Sequence, residues 1–417
     1  MNFRHFRNKP FLTVGATDTL MISISKALKI IKSKAGSVGT ERIDLNDAVG
    51  RVLAENIVAD TDLPPFDRSQ MDGFAVIAKD TAKGPVDLKV VGESAAGSGW
   101  HQTLKPGEAV RIMTGAPVPK GADAVQRLEV TAENNGFVTI NESTKKGQFI
   151  VTKGAEVKKG KIVVAKGSVL TSSNIAVPAA FGYSRIKVSK QAKVSIISTG
   201  SEIVAIDQKP EKDQIRNSNS LMLKVLTEQC GAAAAVSPIV GDSIEDLKQR
   251  IATVAERSDL VILTGGVSVG KYDYTKTALL ELGAEIFFDK VALKPGKPTV
   301  FAKLGKTFIF GLPGNPVSVA VTFHLFVREF IMLLQNASEG SLRKGFAVMG
   351  DRARGTKDRV SYLPSKLETD KAGHLIAVPL KWHGSSDFIG FASADALIIV
   401  PKGETREKGQ IAEIVYL

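Results

Sequence analysis

The glycines and lysine of VILTGGVSVGKYDYTK (residues 261–276) have the spacing of a loop that binds phosphate. Gly265 and Gly270 are separated by four residues and followed by Lys271, as in a P-loop. Glycine there lets backbone N–H groups approach an oxyanion closely. The next residue, however, is Tyr272, where a P-loop needs the compact hydroxyl of Ser or Thr on its magnesium ion. The acid that a P-loop pairs with at the end of a neighbouring strand has one weak candidate, Asp289 in EIFFD. These residues therefore predict a phosphate cradle built from Gly265, Gly266, Ser268 and Gly270, backed by the N-terminal dipole of a helix beginning near Asp273. They argue against a nucleotide hydrolase of the P-loop type.

Acids follow other apolar runs in the same way: Glu202 in STGSE, Asp242 in VGDS and Asp273 in TGGVSVGKYD. At the ends of three strands of one sheet they could hold a magnesium ion or position water beside a phosphate. Taken singly, Asp242 and Asp273 also read as helix N-caps, because helical sequence follows each. Lys290, Lys294 and Lys297 supply the opposite charge, and Lys294 and Lys297 flank Pro295 and Gly296 in a rigid turn suited to a tetrahedral oxyanion. Two loops lie far away in the chain. DLPPFDRSQMDGFAV (62–76) brackets a polar turn with Asp67 and Asp72, and RIMTGAPVPKGADAV (111–125) offers Thr114 as its foremost polar contact. Each alone reads as an ordinary turn.

The elements that must position these residues change texture along the chain. Residues 22–36 have a helical apolar stripe ended by Gly36, and a second helix is expected from Asp44. Short β-rich runs punctuated by Gly, Pro and Asn fill 58–144. From Lys193, uninterrupted apolar strands such as DLVILTGG alternate with amphipathic helices, which predicts a parallel-rich sheet covered on both faces. AEIFFDKVAL reads as one strand of it, and β-rich sequence resumes after Asn336. Ligands of open parallel sheets bind outside the carboxyl ends of the strands, where the acids, glycines and lysines fall.

Composition narrows the function classes. A chain of 417 residues divides into several domains. With one cysteine, Cys230, and five scattered histidines, neither a disulfide framework nor a Cys-based zinc site fits, so any metal is a hard ion held by carboxylates and phosphate. The net charge of +12 favours anionic partners. The lysine-rich stretch 144–168 has one aromatic residue, Phe149, and no recognisable nucleic-acid module, so it reads as a solvated sheet surface. No apolar run reaches the roughly 18 residues needed to span a bilayer, and the basic residues 1–19 lack the apolar segment of a secretory signal. The expectation is a cytoplasmic protein that binds neither nucleic acid nor membrane.

LPPFDRSQMDGFAV, RIMTGAPVPKGADAV, STGSEIV, NSNS, TGGVSVGKYDYTK, KPGKP and GLPGNPVSV, in this order, resemble the MoeA-like molybdopterin molybdenumtransferases, the family that includes the gephyrin E domain. The resemblance runs from about Leu20 to the C-terminus. It implies a basic arm (1–19), a linker domain in two segments (20–57 and 145–187), an inserted β domain (58–144), an α/β molybdopterin-binding-like domain (188–336) and a C-terminal β domain (337–417). It also implies a homodimer whose cleft joins the α/β domain of one subunit to the inserted domain of the other. The implied reaction inserts molybdenum from molybdate into adenylylated molybdopterin and releases AMP, with magnesium present and a molybdopterin adenylyltransferase-type protein as substrate donor. Matching positions are Asp72, Thr114, Glu202, Asp242, Asp273, Lys290, Lys294, Pro313 and Pro316, with Glu202, Asp242 and Asp273 toward the metal, Lys294 and Lys297 toward the oxyanion, and Pro313 and Pro316 shaping a loop. The chain departs from the family pattern at Ser201, where Asp is common, and at Glu156, which stands shifted in KGAEV. Tungstate handling, or a diverged binder or scaffold, are the alternatives within this resemblance.

Overall fold

The computed structural model describes residues 21–266, 274–381 and 383–417. Its organising element is a six-stranded sheet in the order Ala233–Val236, Lys193–Ser198, Leu260–Thr264, Thr307–Leu312, Val300–Leu304 and Glu285–Phe288. The first four strands run parallel, and Val300–Leu304 pairs antiparallel with both of its neighbours. Leu260–Thr264 is buried along its whole length. Because side chains alternate across a strand, Leu260 and Ile262 enter one core with Ile196 and Phe310, whereas Val261 and Leu263 enter a second with Ile197 and Ile309. Helices Ser218–Gln229 and Pro316–Leu334 cover the first face; Ile244–Ala255 and Tyr274–Glu281 cover the second. Apolar runs buried on both sides are what parallel strands require.

The strand read from AEIFFDKVAL is divided. Glu285–Phe288 belongs to this sheet, but Leu293–Lys294 pairs with Val360–Ser361 in the C-terminal sheet. There, Val360–Thr369, Leu375–Pro379, Lys344–Met349, Ile411–Tyr416 and Ala396–Val400 close into a small barrel. The inserted β domain is a further six-stranded sheet that carries an apolar cluster around Phe74, Leu88 and Ile140 and another around Val110, Ile112 and Val125. Two separated stretches form the linker: Thr40–Asp44 pairs with Arg185–Ser189, and Ile57–Val58 with Ile162–Val164, around Leu53, Ile57 and Val188. Ile150–Val151 pairs with Arg68–Ser69.

The helix expected from Asp44 is absent. Asp44 ends a strand, Leu45–Asp47 is a single 3-10 turn, and Gly50 has a φ of 84° that breaks any helix there. Pro316–Leu334 is a 19-residue helix long and apolar enough to cross a bilayer by length and composition, although 78% of its apolar window lies inside the fold. Arg328 and Glu329 interrupt the linear apolar run, so the sequence has no uninterrupted apolar segment of this length even though it reads as one helix over 316–334.

Within this helix Phe323–Val327 widens to a π turn. His324 sits there with its Nδ1 screened from water and without a partner among the described residues. Burial, assisted by the Arg328 charge, pushes its pKa down to about 4 from 6.5. The unfolded chain therefore takes up a proton before the folded one does. The stability owed to the neutral ring is complete above pH 6.5 and is lost as the pH falls through about 4. The total loss should be about 3 kcal/mol, and His324→Leu should flatten this acid limb when denaturant midpoints are measured across the range.

Candidate active site

The loops that leave the parallel strands converge. Thr199–Gly200 follows Lys193–Ser198, Gly265–Gly266 follows Leu260–Thr264, and Pro313 to Asn315 follows Thr307–Leu312. Together with Glu202, Asp242, Tyr274 and Pro298 they enclose a cavity of 370 Å³. Glycine is required at its floor. Gly265 has a φ of 94°, and a Cβ there would lie 2.3 Å from the backbone oxygen of Thr199. Gly266, at a φ of 63°, would press a Cβ to 3.0 Å from Thr199 Oγ1 and 3.1 Å from Thr275 Oγ1. Backbone approach of this closeness suits a phosphate-like group.

Glu202 and Asp242 thus share one cavity, as their strand-end positions suggested. Asp242 is oriented by Ser201, whose Oγ donates to its Oδ2 at 2.6 Å and whose backbone N–H donates at 3.3 Å. The departure at Ser201 therefore supplies a donor to the neighbouring carboxylate, where a second acid would repel it. Two carboxylates with room for substrate oxygens fit the way magnesium binds, through one or two acids plus phosphate and water. No cluster of three or more metal-ligating side chains occurs among the described residues.

A larger cavity of 710 Å³ continues from the first and shares Thr199, Glu202, Gly265, Gly314 and Asn315 with it. Its wall adds Ile203, Pro210, Ile215 and Phe388 to the amides of Gln214, Asn217 and Asn219. Pro313 lines the smaller cavity, and Pro316 lines the larger as the first residue of its helix. The C-terminal domain completes that corner: Ser385 accepts from the Val317 N–H at 3.1 Å and from Asn315 Nδ2 at 2.8 Å.

The lysines lie on the turn between the two domains. Lys294 is half-buried in the short strand beside Val360–Ser361, and the Val291 N–H donates to the Lys297 carbonyl at 2.9 Å. Lys297 also faces the C-terminal domain. Desolvation would raise the Asp358 pKa, but the Arg359 hydrogen bond and charge, together with Lys297, hold it below the usual carboxylate range. Lys290 accepts from the Ile22 N–H through its carbonyl at 3.0 Å. Neither Lys290, Lys294 nor Lys297 is in the lining of the two cavities, although Pro298 is.

Asp72 and Thr114 meet each other. The Asp72 carboxylate accepts from the Thr114 backbone N–H at 2.7 Å on the surface of the inserted domain, away from the lining of the α/β cavities. Ser268, Gly270 and Asp273 lie outside the described residues. Asp289, the weak P-loop partner, is buried against Lys276 at 2.5 Å. Thr199, Asn219, Asn315 and Phe388 were missed as site residues. The first three lie within the quoted motifs, but as uncharged polar residues they carried no signal of their own. Phe388 has none, because it arrives from the C-terminal domain.

Comparison with known proteins shows the family. Residues 22–182 match the MoeA N-terminal region (domain I and II), 195–332 a probable molybdopterin binding domain, and 347–417 the MoeA C-terminal region (domain IV). The chain is 34% identical over 399 residues to the molybdopterin molybdenumtransferase of Staphylococcus epidermidis, covering 94% of this chain and 95% of that one. It is 37% identical over 381 residues to the molybdopterin molybdenumtransferase of a Nostoc species, covering 88% and 86%. A solved molybdopterin biosynthesis MoeA protein from Pyrococcus horikoshii superposes with a TM-score of 0.82 at 28% identity, covering 95% of this chain and all of that one. With all three regions present in order and such relatives matched almost end to end, the chain belongs to the MoeA family.

Proposed function

We propose that this protein is a molybdopterin molybdenumtransferase of molybdenum cofactor biosynthesis, working in the cytoplasm on adenylylated molybdopterin and molybdate and releasing AMP. The observation that carries the reading is the joined pair of cavities at the strand ends. The smaller has the glycine floor and two acids suited to a phosphoanhydride, and the larger has the apolar and amide wall suited to a flat heterocycle. Magnesium, held by Glu202 and Asp242 and, in this reading, by Asp273, would supply charge neutralisation at the phosphoanhydride. Gly265 and Gly266 bring backbone against the phosphate, and Ser201 keeps Asp242 aimed into the cavity. Lys294 and Lys297 draw the oxyanion toward the turn between the domains. Lys290 adds positive charge to the same turn.

Asp72 and Thr114 belong to this reading through a second copy of the chain. A homodimer that sets the inserted domain of one subunit over the α/β cavity of the other brings them to the substrate, which an adenylyltransferase-type protein delivers. The test is AMP release from adenylylated molybdopterin by the purified protein with magnesium, comparing molybdate, tungstate and no oxyanion. Oxyanion-dependent release is expected and ranks the two metals. Tight binding of substrate without release would overturn the enzymatic reading in favour of a binder or scaffold.

A further inference from the structure

Asn219 lies in the first turn of helix Ser218–Gln229 and is only 9% exposed. Its Nδ2 donates to the Gly314 carbonyl at 2.7 Å and to Thr264 Oγ1 at 3.2 Å. A backbone carbonyl can only accept, so the orientation of the amide is settled by its partner. Thr264 Oγ1 in turn donates to the Pro313 carbonyl at 3.0 Å. The side chain thereby ties the end of the central strand to the loop that lines both cavities. Its Oδ1 is left screened from water and without a partner among the described residues, on a residue that lines the larger cavity. A buried acceptor without a donor is an uncommon and costly state, and one that a bound donor relieves.

We propose that Asn219 determines specificity in the larger cavity: its Oδ1 accepts a hydrogen bond from an N–H on the edge of the bound heterocycle, and its Nδ2 holds the wall against which that edge rests. The inference rests on the molybdopterin reading and deepens it, by giving the pterin ring a donor edge that this chain recognises. A site built around a buried acceptor discriminates strongly against a ligand that lacks the matching donor, because the acceptor is then left unpaired. A ring that presents a carbonyl instead sets acceptor against acceptor.

The test compares pterin-6-carboxylate with lumazine-6-carboxylate, which differ at ring position 2 in an amino donor or a carbonyl acceptor. Dissociation constants would be measured on the full chain. The wild type should favour the pterin by on the order of 10- to 100-fold. Asn219→Ala should reduce that ratio to about one, whereas Thr264→Val, which loosens the wall and spares the acceptor, should weaken both ligands and keep the ratio. A preference that persists in Asn219→Ala overturns the proposal, as does a wild type with no preference, which needs no variant to fold. In either case AMP release can still be intact, so the enzymatic reading stands apart. Binding of neither ring overturns the proposal together with the pterin reading.

Discussion

Asp242→Asn is expected to lower AMP release by on the order of 10²–10⁴-fold while leaving the fold intact. The asparagine keeps the volume and one acceptor oxygen, so the Ser201 hydroxyl at 2.6 Å retains a partner. What is lost is the negative charge that, with Glu202, faces the 370 Å³ cavity. An unchanged melting temperature with near-zero turnover is the expected pair of results. Unchanged turnover would remove Asp242 from the reaction. The same variant tests the shared site. If each cleft draws its α/β part from one subunit and its inserted domain from the other, mixed dimers of Asp242→Asn and Asp72→Asn chains contain one doubly altered cleft and one intact cleft. Such dimers should recover about half of wild-type activity, the fraction fixed by symmetry. Sites confined to single chains would give no recovery.

Gly265→Ala should damage both stability and binding. At a φ of 94° an L-residue is strained, and the added Cβ would lie 2.3 Å from the Thr199 carbonyl oxygen, which is backbone and cannot swing aside. Backbone strain of about 1–2 kcal/mol and overpacking of about 1–3 kcal/mol act together here. The loop would have to move outward, which opens the cradle. The expected result is a lower unfolding midpoint and loss of measurable AMP release. Gly305, also at positive φ (57°) but with nothing within 4 Å of an added Cβ, serves as the comparison. Gly305→Ala should show the strain without the loss of turnover.

Much of this site was legible in the chain because strand-end chemistry leaves local marks. An uninterrupted apolar run followed by glycine, as in LVILTGG, identifies a strand buried on both faces and the loop at its carboxyl end. Glu202 and Asp242 could be placed together on that ground, and the structure sets them in one cavity. The motifs in family order carried the rest of the identification, which the relatives then supported.

Only tertiary structure decided what depends on pairing across long separations. Hydrophobic periodicity reports that a segment is buried, but not against what. Leu293–Lys294 therefore looked continuous with Glu285–Phe288, although its partner is Val360–Ser361 in another sheet. Residues 44–57 looked helical, although Val52, Leu53 and Ile57 bridge to Val169, Val188 and Val164, more than 100 residues away in the chain. The inward turn of Asn219, with one end satisfied and the other not, follows from three loops meeting at Thr264, Gly314 and the start of its own helix. Sequence by itself determined which residues could do the chemistry and at which strand ends they stand. The closure of the cavities around them, including Ser385 and Phe388 from the C-terminal domain, was decided by packing, because side-chain contacts between distant segments leave no local pattern.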